Sequence, residues 1–170
     1  MCIEIIAKID FDEIIKIKFK NILEGLNNYN YVDIYSLKNK KDEIELDYIK
    51  SIEDFYELNE GNLIIDFYKR NLTIDSINFI KSKLDLKDIK YFDELINVLD
   101  NENIYYKIKD KKCISLLTKL CTRELFFITF YFYKYPATLW GNYNLKFPLF
   151  YNENSKIDQY LNILKTNKLI

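Results

Sequence analysis

An aromatic stretch in the C-terminal half of the chain constrains the fold most strongly. It reads ELFFITFYFYKYPATLWGNYNLKFPLFY and runs from Glu124 to Tyr151. A membrane-spanning helix needs about 20 consecutive apolar residues, but the uncharged run here ends at Lys134, and Pro136 follows it. Aromatic and β-branched residues instead suit a pleated sheet. The stretch therefore predicts a strand over 126–135, then a connection, then an edge strand over 143–151.

The alternation of side chains in the first of these strands predicts which face is buried. The even positions from Phe126 to Phe132 are purely apolar and are expected to face the core, because successive side chains of a strand point to opposite faces. The odd positions from Phe127 to Tyr133 carry Phe, Thr and Tyr and are expected to be partly exposed. A sheet that stacks on bases would also interleave Lys and Arg, and only Lys134 and Lys146 are available.

Apolar residues elsewhere recur mainly at helical spacing. Helices are predicted over 10–28, 42–62, 73–84, 85–101, 113–125 and 155–168, and short strands over 31–37, 63–68 and 104–108. A chain of 170 residues is long enough to bury a substantial core. We therefore expect a single α+β domain over 1–170, with a small mixed or antiparallel sheet packed by several amphipathic helices.

The absence of His excludes several kinds of enzyme. Ser-His-Asp and Cys-His nucleophiles, His-ligated metals and imidazole acid–base catalysis all need that side chain. The D-x-K spacing of a metal-dependent nuclease occurs three times, at Asp85–Lys87, Asp88–Lys90 and Asp110–Lys112, which is about what chance gives. Asp66 lies on a predicted strand but lacks a lysine two residues later. We predict no catalytic residue, and we keep a small metal-dependent nuclease, or another nucleic-acid-processing enzyme without His, as the alternative function.

Charge and cysteine usage indicate a cytoplasmic protein. The net charge is -1, whereas nucleic-acid-binding proteins usually carry a basic excess. Cys2, Cys113 and Cys121 show no C-x-x-C spacing and are expected to be free thiols in a reducing compartment. The N-terminus has acidic residues where a signal peptide needs basic ones.

We expect no metal, no cofactor, no direct contact with nucleic acid or membrane, and a monomer or weak dimer.

The segment from Asp42 to Asp66 has the largest charge imbalance in the sequence, with nine acidic residues and one basic residue, Lys50. At helical spacing its carboxylates gather opposite the apolar stripe; four of them are Glu43, Asp47, Asp54 and Glu57. Such a face is either a solvated surface or a docking surface for a basic protein. Trp140 and Tyr143 are candidates for an anchor that binds a partner. The alternative for Trp140 is that its side chain fills the end of the core.

The aromatic stretch, above all LWGNYNLKFPLF, together with the acidic DEIELDYIKSIEDFYELNE, resembles the immunity proteins of bacterial toxin systems, including those of contact-dependent growth inhibition. The resemblance implies a small cytosolic protein that lacks catalytic residues and inhibits by binding. Its partner would be a cognate toxin domain, most often a nuclease, whose active-site cleft or a neighbouring surface it covers. The acidic helix would then imitate phosphate charge, and Trp140 or exposed Tyr residues would supply apolar anchors.

Overall fold

A computed structural model describes residues 2–170, which form one seven-stranded sheet and seven α-helices. The strands are β1 (Ile3–Ile6), β2 (Asn30–Ile34), β3 (Leu63–Asp66), β4 (Tyr105–Ile108), β5 (Thr129–Phe132), β6 (Ala137–Trp140) and β7 (Phe147–Tyr151). The helices are α1 (Lys8–Ile14), α2 (Ile22–Asn28), α3 (Lys41–Leu58), α4 (Ile74–Ser82), α5 (Leu86–Val98), α6 (Lys112–Thr122) and α7 (Ile157–Thr166). Short 3-10 turns occur at Lys69–Asn71 and Tyr143–Leu145.

The sheet is antiparallel throughout, with the strand order β1-β4-β3-β5-β6-β7-β2. The predicted α+β class is confirmed, and the sheet is antiparallel rather than mixed. Strand β1 was not predicted from the sequence. No helix within residues 2–170 has both the length and the apolar character needed to cross a bilayer.

Helices cover one face of the sheet, which we call the inner face. The apolar stripe of α3 consists of Ile44, Tyr48, Ile52 and Phe55, all buried at helical spacing. The ring of Phe55 meets the rings of Phe132 on β5 and Tyr160 on α7 edge to face, with centroids 5.6 and 4.8 Å away. Helix α3 also packs along α6 and α7. These contacts form the main hydrophobic core.

The N-terminal segment covers part of the opposite, outer face, and here the predicted helix over 10–28 is wrong. Helices α1 and α2 are separated by a non-helical segment over 15–21. Ile15 and Ile17 are buried whereas Lys16 and Lys20 are exposed, so the pattern IKIKFK has a period of two rather than 3.6 residues. The hydroxyl of Thr138 on β6 donates to the carbonyl of Ile17 at 2.6 Å, which ties this segment to the sheet.

The aromatic stretch forms three strands rather than two. Phe130 and Phe132 face the main core, as predicted. Tyr131 was expected to be partly exposed, but it is buried because α1 packs over it. The predicted connection contains β6, and β7 lies between β6 and β2 instead of at an edge. Pro148 lies beyond the last residue of β7 that pairs with β6, so its missing N–H does not interrupt that pairing.

Two of the three cysteines are not free thiols, which corrects the expectation from the sequence. Cys2 and Cys113 form a disulfide with their Cα atoms 6.4 Å apart, within the usual range for such a bond. This bond joins the start of the chain to the first turn of α6. Cys121 is free and buried, and burial raises the pKa of its thiol to about 12.

The accessibility of the thiols tests this arrangement. We expect no reaction of the folded protein with Ellman's reagent, because Cys121 is buried and its thiolate form is disfavoured. In denaturant without reductant, one thiol per chain should react, and after reduction all three. Three reactive thiols in denaturant without reductant would show that Cys2 and Cys113 are unpaired.

Candidate functional site

The four acidic residues predicted to bind a partner do share one side of α3. Glu43, Asp47, Asp54 and Glu57 are at positions i, i+4, i+11 and i+14, and the strip that they form is about 21 Å long at 1.5 Å per residue. The side chains of the two outer residues, Glu43 and Glu57, are 49% and 59% exposed. Asp47 and Asp54 are half-buried. We call this set of four carboxylates the α3 acidic strip.

Each carboxylate of the α3 acidic strip has a lysine partner in this structure. The pairs are Lys40–Glu43, Lys38–Asp47, Lys50–Asp54 and Lys111–Glu57. Asp54 also accepts a hydrogen bond from the side-chain amide of Asn167, at 2.9 Å. The inner two carboxylates therefore help to hold neighbouring segments in place, while the outer two face solvent.

The structure separates Trp140 from Tyr143. Tyr143 is 59% exposed, and its 3-10 turn packs against α3, since the hydroxyl of Tyr48 donates to the carbonyl of Leu145 at 2.8 Å. Leu139 lies in the main core. Because successive side chains of a strand point to opposite faces, the side chain of Trp140 points to the outer face. There its ring lies 5.4 Å from that of Phe19. Trp140 is thus remote from the α3 acidic strip, on the other side of the sheet.

The D-x-K carboxylates do not assemble into a metal site. The Nζ atom of Lys119 contacts the carboxylates of Asp88 at 2.5 Å and of Asp85 at 3.9 Å. Asp110 instead accepts from the main-chain N–H of Lys112. Within residues 2–170, no group of three His, Cys, Asp or Glu side chains could hold a metal ion.

A cavity of about 570 Å³ opens on the outer face, where the N-terminal segment leaves the sheet uncovered. We call it the outer-face cavity. Its aromatic lining includes Phe11 of α1, Phe19 of the non-helical segment, Tyr68, Tyr105 and Trp140. Phe11 stacks on Tyr105 with ring centroids 3.6 Å apart. The walls thus combine packed aromatic rings with charged side chains.

Two glycines allow these walls to form. A Cβ atom on Gly141, directly after β6, would lie 2.7 Å from the carbonyl oxygen of Ile128, so only glycine permits the two backbones to approach this closely. A Cβ atom on Gly25 of α2 would lie 2.9 Å from the ring of Phe19. The close approach of the backbone to Ile128 therefore requires the glycine in LWGNYN, which the sequence alone did not reveal.

The carboxylate of Asp66, the last residue of β3, also lines the outer-face cavity and is 6% exposed. Its Oδ1 atom accepts from the main-chain N–H of Thr129 at 2.7 Å, and its Oδ2 atom accepts from the hydroxyl of Tyr131 at 3.2 Å. Burial raises the pKa of Asp66 to about 6, although these hydrogen bonds act in the opposite direction.

No lysine or arginine in the described part of the chain forms a salt bridge with Asp66. Lys8 and Lys18, which also line the outer-face cavity, both contact Asp12 of α1. Buried charges in proteins are normally paired. Asp66 is therefore an unusual feature, and its only sequence signal was an acid at the end of the otherwise apolar LIID.

Comparison with known proteins adds no relative. No family model matches this chain, and no curated protein or solved structure matches it either. The function must therefore be argued from the side chains themselves.

The buried carboxylate predicts how stability depends on pH. Since the pKa of Asp66 rises from 3.8 in the unfolded chain to about 6 in the fold, protonation of this group stabilises the folded protein. That contribution is complete below pH 3.8 and is lost as the pH rises through about 6. The loss is about 3 kcal/mol for a shift of this size. The charged or titratable groups that line the cavity with this carboxylate are Lys8, Asp12, Lys18, Lys20, Glu24, Tyr68, Tyr105 and Tyr131.

Asp66→Asn keeps both hydrogen bonds, because its amide oxygen can accept from Thr129 and its amide nitrogen can donate to Tyr131. Relative to this variant, the unfolding free energy of the wild type should fall by about 2.4 kcal/mol between pH 4 and pH 7, as measured by urea denaturation. Equal pH dependence of the two proteins would contradict the assignment. The exposed Glu153→Gln is the matched control.

Proposed function

We propose that this protein is an immunity-type inhibitor that binds and neutralises a cognate, basic nuclease toxin domain. The observation that carries the proposal is the α3 acidic strip: four carboxylates lie along one side of α3, and the turn that presents Tyr143 packs against the same helix. Patterned negative charge steers association with a positive partner and fixes its register.

The lysines that contact the α3 acidic strip do not prevent this role. Exposed ion pairs contribute only about 0–1 kcal/mol to stability, so basic side chains of a partner can replace these lysines at small cost. Lys40 and Lys50 are the most readily displaced, since their side chains are 80% and 62% exposed. A toxin surface that binds nucleic acid carries such basic side chains, because it must neutralise phosphates.

Charge reversal at the exposed ends of the strip tests the proposal. Glu43→Lys combined with Glu57→Lys should slow association with the toxin domain about tenfold at low salt, because electrostatic steering is lost. It should leave the unfolding free energy nearly unchanged, because both side chains are exposed. The toxin domain is first isolated by its binding to the tagged wild-type protein. The measurement is then its association rate at low and moderate salt, together with one-to-one inhibition of its nuclease activity.

The control is Glu153→Lys combined with Asp158→Lys, which makes the same change in net charge at exposed positions near the start of α7. A purely global charge effect would slow both double variants equally and would remove the α3 acidic strip from the interface. Failure of the wild type to inhibit the toxin domain would overturn the proposed function itself.

A further inference from the structure

We propose that the outer-face cavity is a binding site for an organic cation, an alkylguanidinium or alkylammonium group, whose charge pairs with Asp66 and whose stem packs against the aromatic walls. This inference does not rest on the proposed function, because it concerns the opposite face of the sheet and a different set of residues.

The charge of the cavity supports a cation. Two hydrogen bonds, from Thr129 and Tyr131, leave the carboxylate of Asp66 with acceptor capacity, since a carboxylate has about four lone-pair sites. Lys8 and Lys18 already contact Asp12, and the Nζ of Lys18 also donates to the carbonyl of Ile15. The third lysine of the lining, Lys20, is exposed and forms no salt bridge with Asp66. Asp66 is therefore the buried charge in this cavity that still lacks a counter-ion among the described residues.

The walls favour an organic cation over a bare metal ion. A metal such as Mg²⁺ or Ca²⁺ needs several oxygen ligands, chiefly carboxylates and carbonyls, and no cluster of three ligating side chains forms within residues 2–170. Faces of Trp and Tyr instead attract guanidinium and ammonium groups. Trp140, Tyr105 and Tyr68 line the cavity together with Asp66 and supply such rings. A volume of about 570 Å³ lies within the range of small-ligand sites.

The position of Trp140 provides a direct measurement. It is the single tryptophan of the chain and lines the cavity, so its fluorescence, excited beyond the absorption of Tyr, reports on that site alone. The probe is n-butylguanidinium, and its neutral isostere n-butylurea is the comparison. We expect a saturable, one-to-one change in emission with n-butylguanidinium and binding of n-butylurea at least tenfold weaker.

Asp66→Asn should weaken binding of n-butylguanidinium at least tenfold, while Glu153→Gln should leave it unchanged. Since the comparison with n-butylurea uses the wild-type protein, the test stands even if Asp66→Asn folds poorly. Equal affinity for the charged and neutral probes, a linear response without saturation, or full binding by a folded Asp66→Asn would each overturn the proposal.

A free small molecule and a side chain of another protein could both supply the cation, and a second pair of probes separates these sources. If N-acetyl-arginine N-methylamide binds as tightly as n-butylguanidinium, the cavity accepts a cation carried on a peptide chain. If n-butylguanidinium binds and the blocked arginine does not, the ligand is a free amine or guanidine. Binding of neither probe would overturn the proposal.

Discussion

The structure depends on a central strand that must be covered on both faces. All four residues of β3, Leu63–Asp66, are buried, and the strand lies between β4 and β5 in the sheet. The helices of the main core, such as α3 and α6, bury only its inner face. The N-terminal segment has to cover the outer one, and α1 places Phe11 against Ile64 and Tyr131. The position of α1 and of the segment after it follows from this requirement.

The outer-face cavity is a consequence of how that cover is built. A helix, a non-helical segment and a second short helix follow one another across the sheet, so the cover is less continuous than the helical layer on the inner face. Phe19 packs against Trp140 and Phe150, and Phe11 packs against Tyr105. Both phenylalanines line the cavity, and the carboxylate of Asp66 lines it as well.

The sheet separates two regions of negative charge with different physical character. The α3 acidic strip is exposed at both ends, and most of its lysine partners are exposed as well, so it suits long-range attraction of a basic surface. Asp66 is buried in an aromatic cavity, where a cation meets little competition from water. The first region is suited to speeding association with a partner protein. The second is suited to selecting one chemical group. Trp140 belongs to the second region, although the sequence grouped it with Tyr143 of the first.

The sequence by itself determined the α+β class, five helices close to their observed positions and the apolar face of β5, because these depend on periodicity within one segment. It also placed four carboxylates on one side of α3. Only the tertiary structure decided that the IKIKFK segment lies across the sheet, that β7 is an interior strand, that Cys2 meets Cys113 and that Asp66 lies beside aromatic rings. Each of these depends on contacts between residues far apart in the chain, such as Asp66 with Thr129 and Ile17 with Thr138, which no local pattern records.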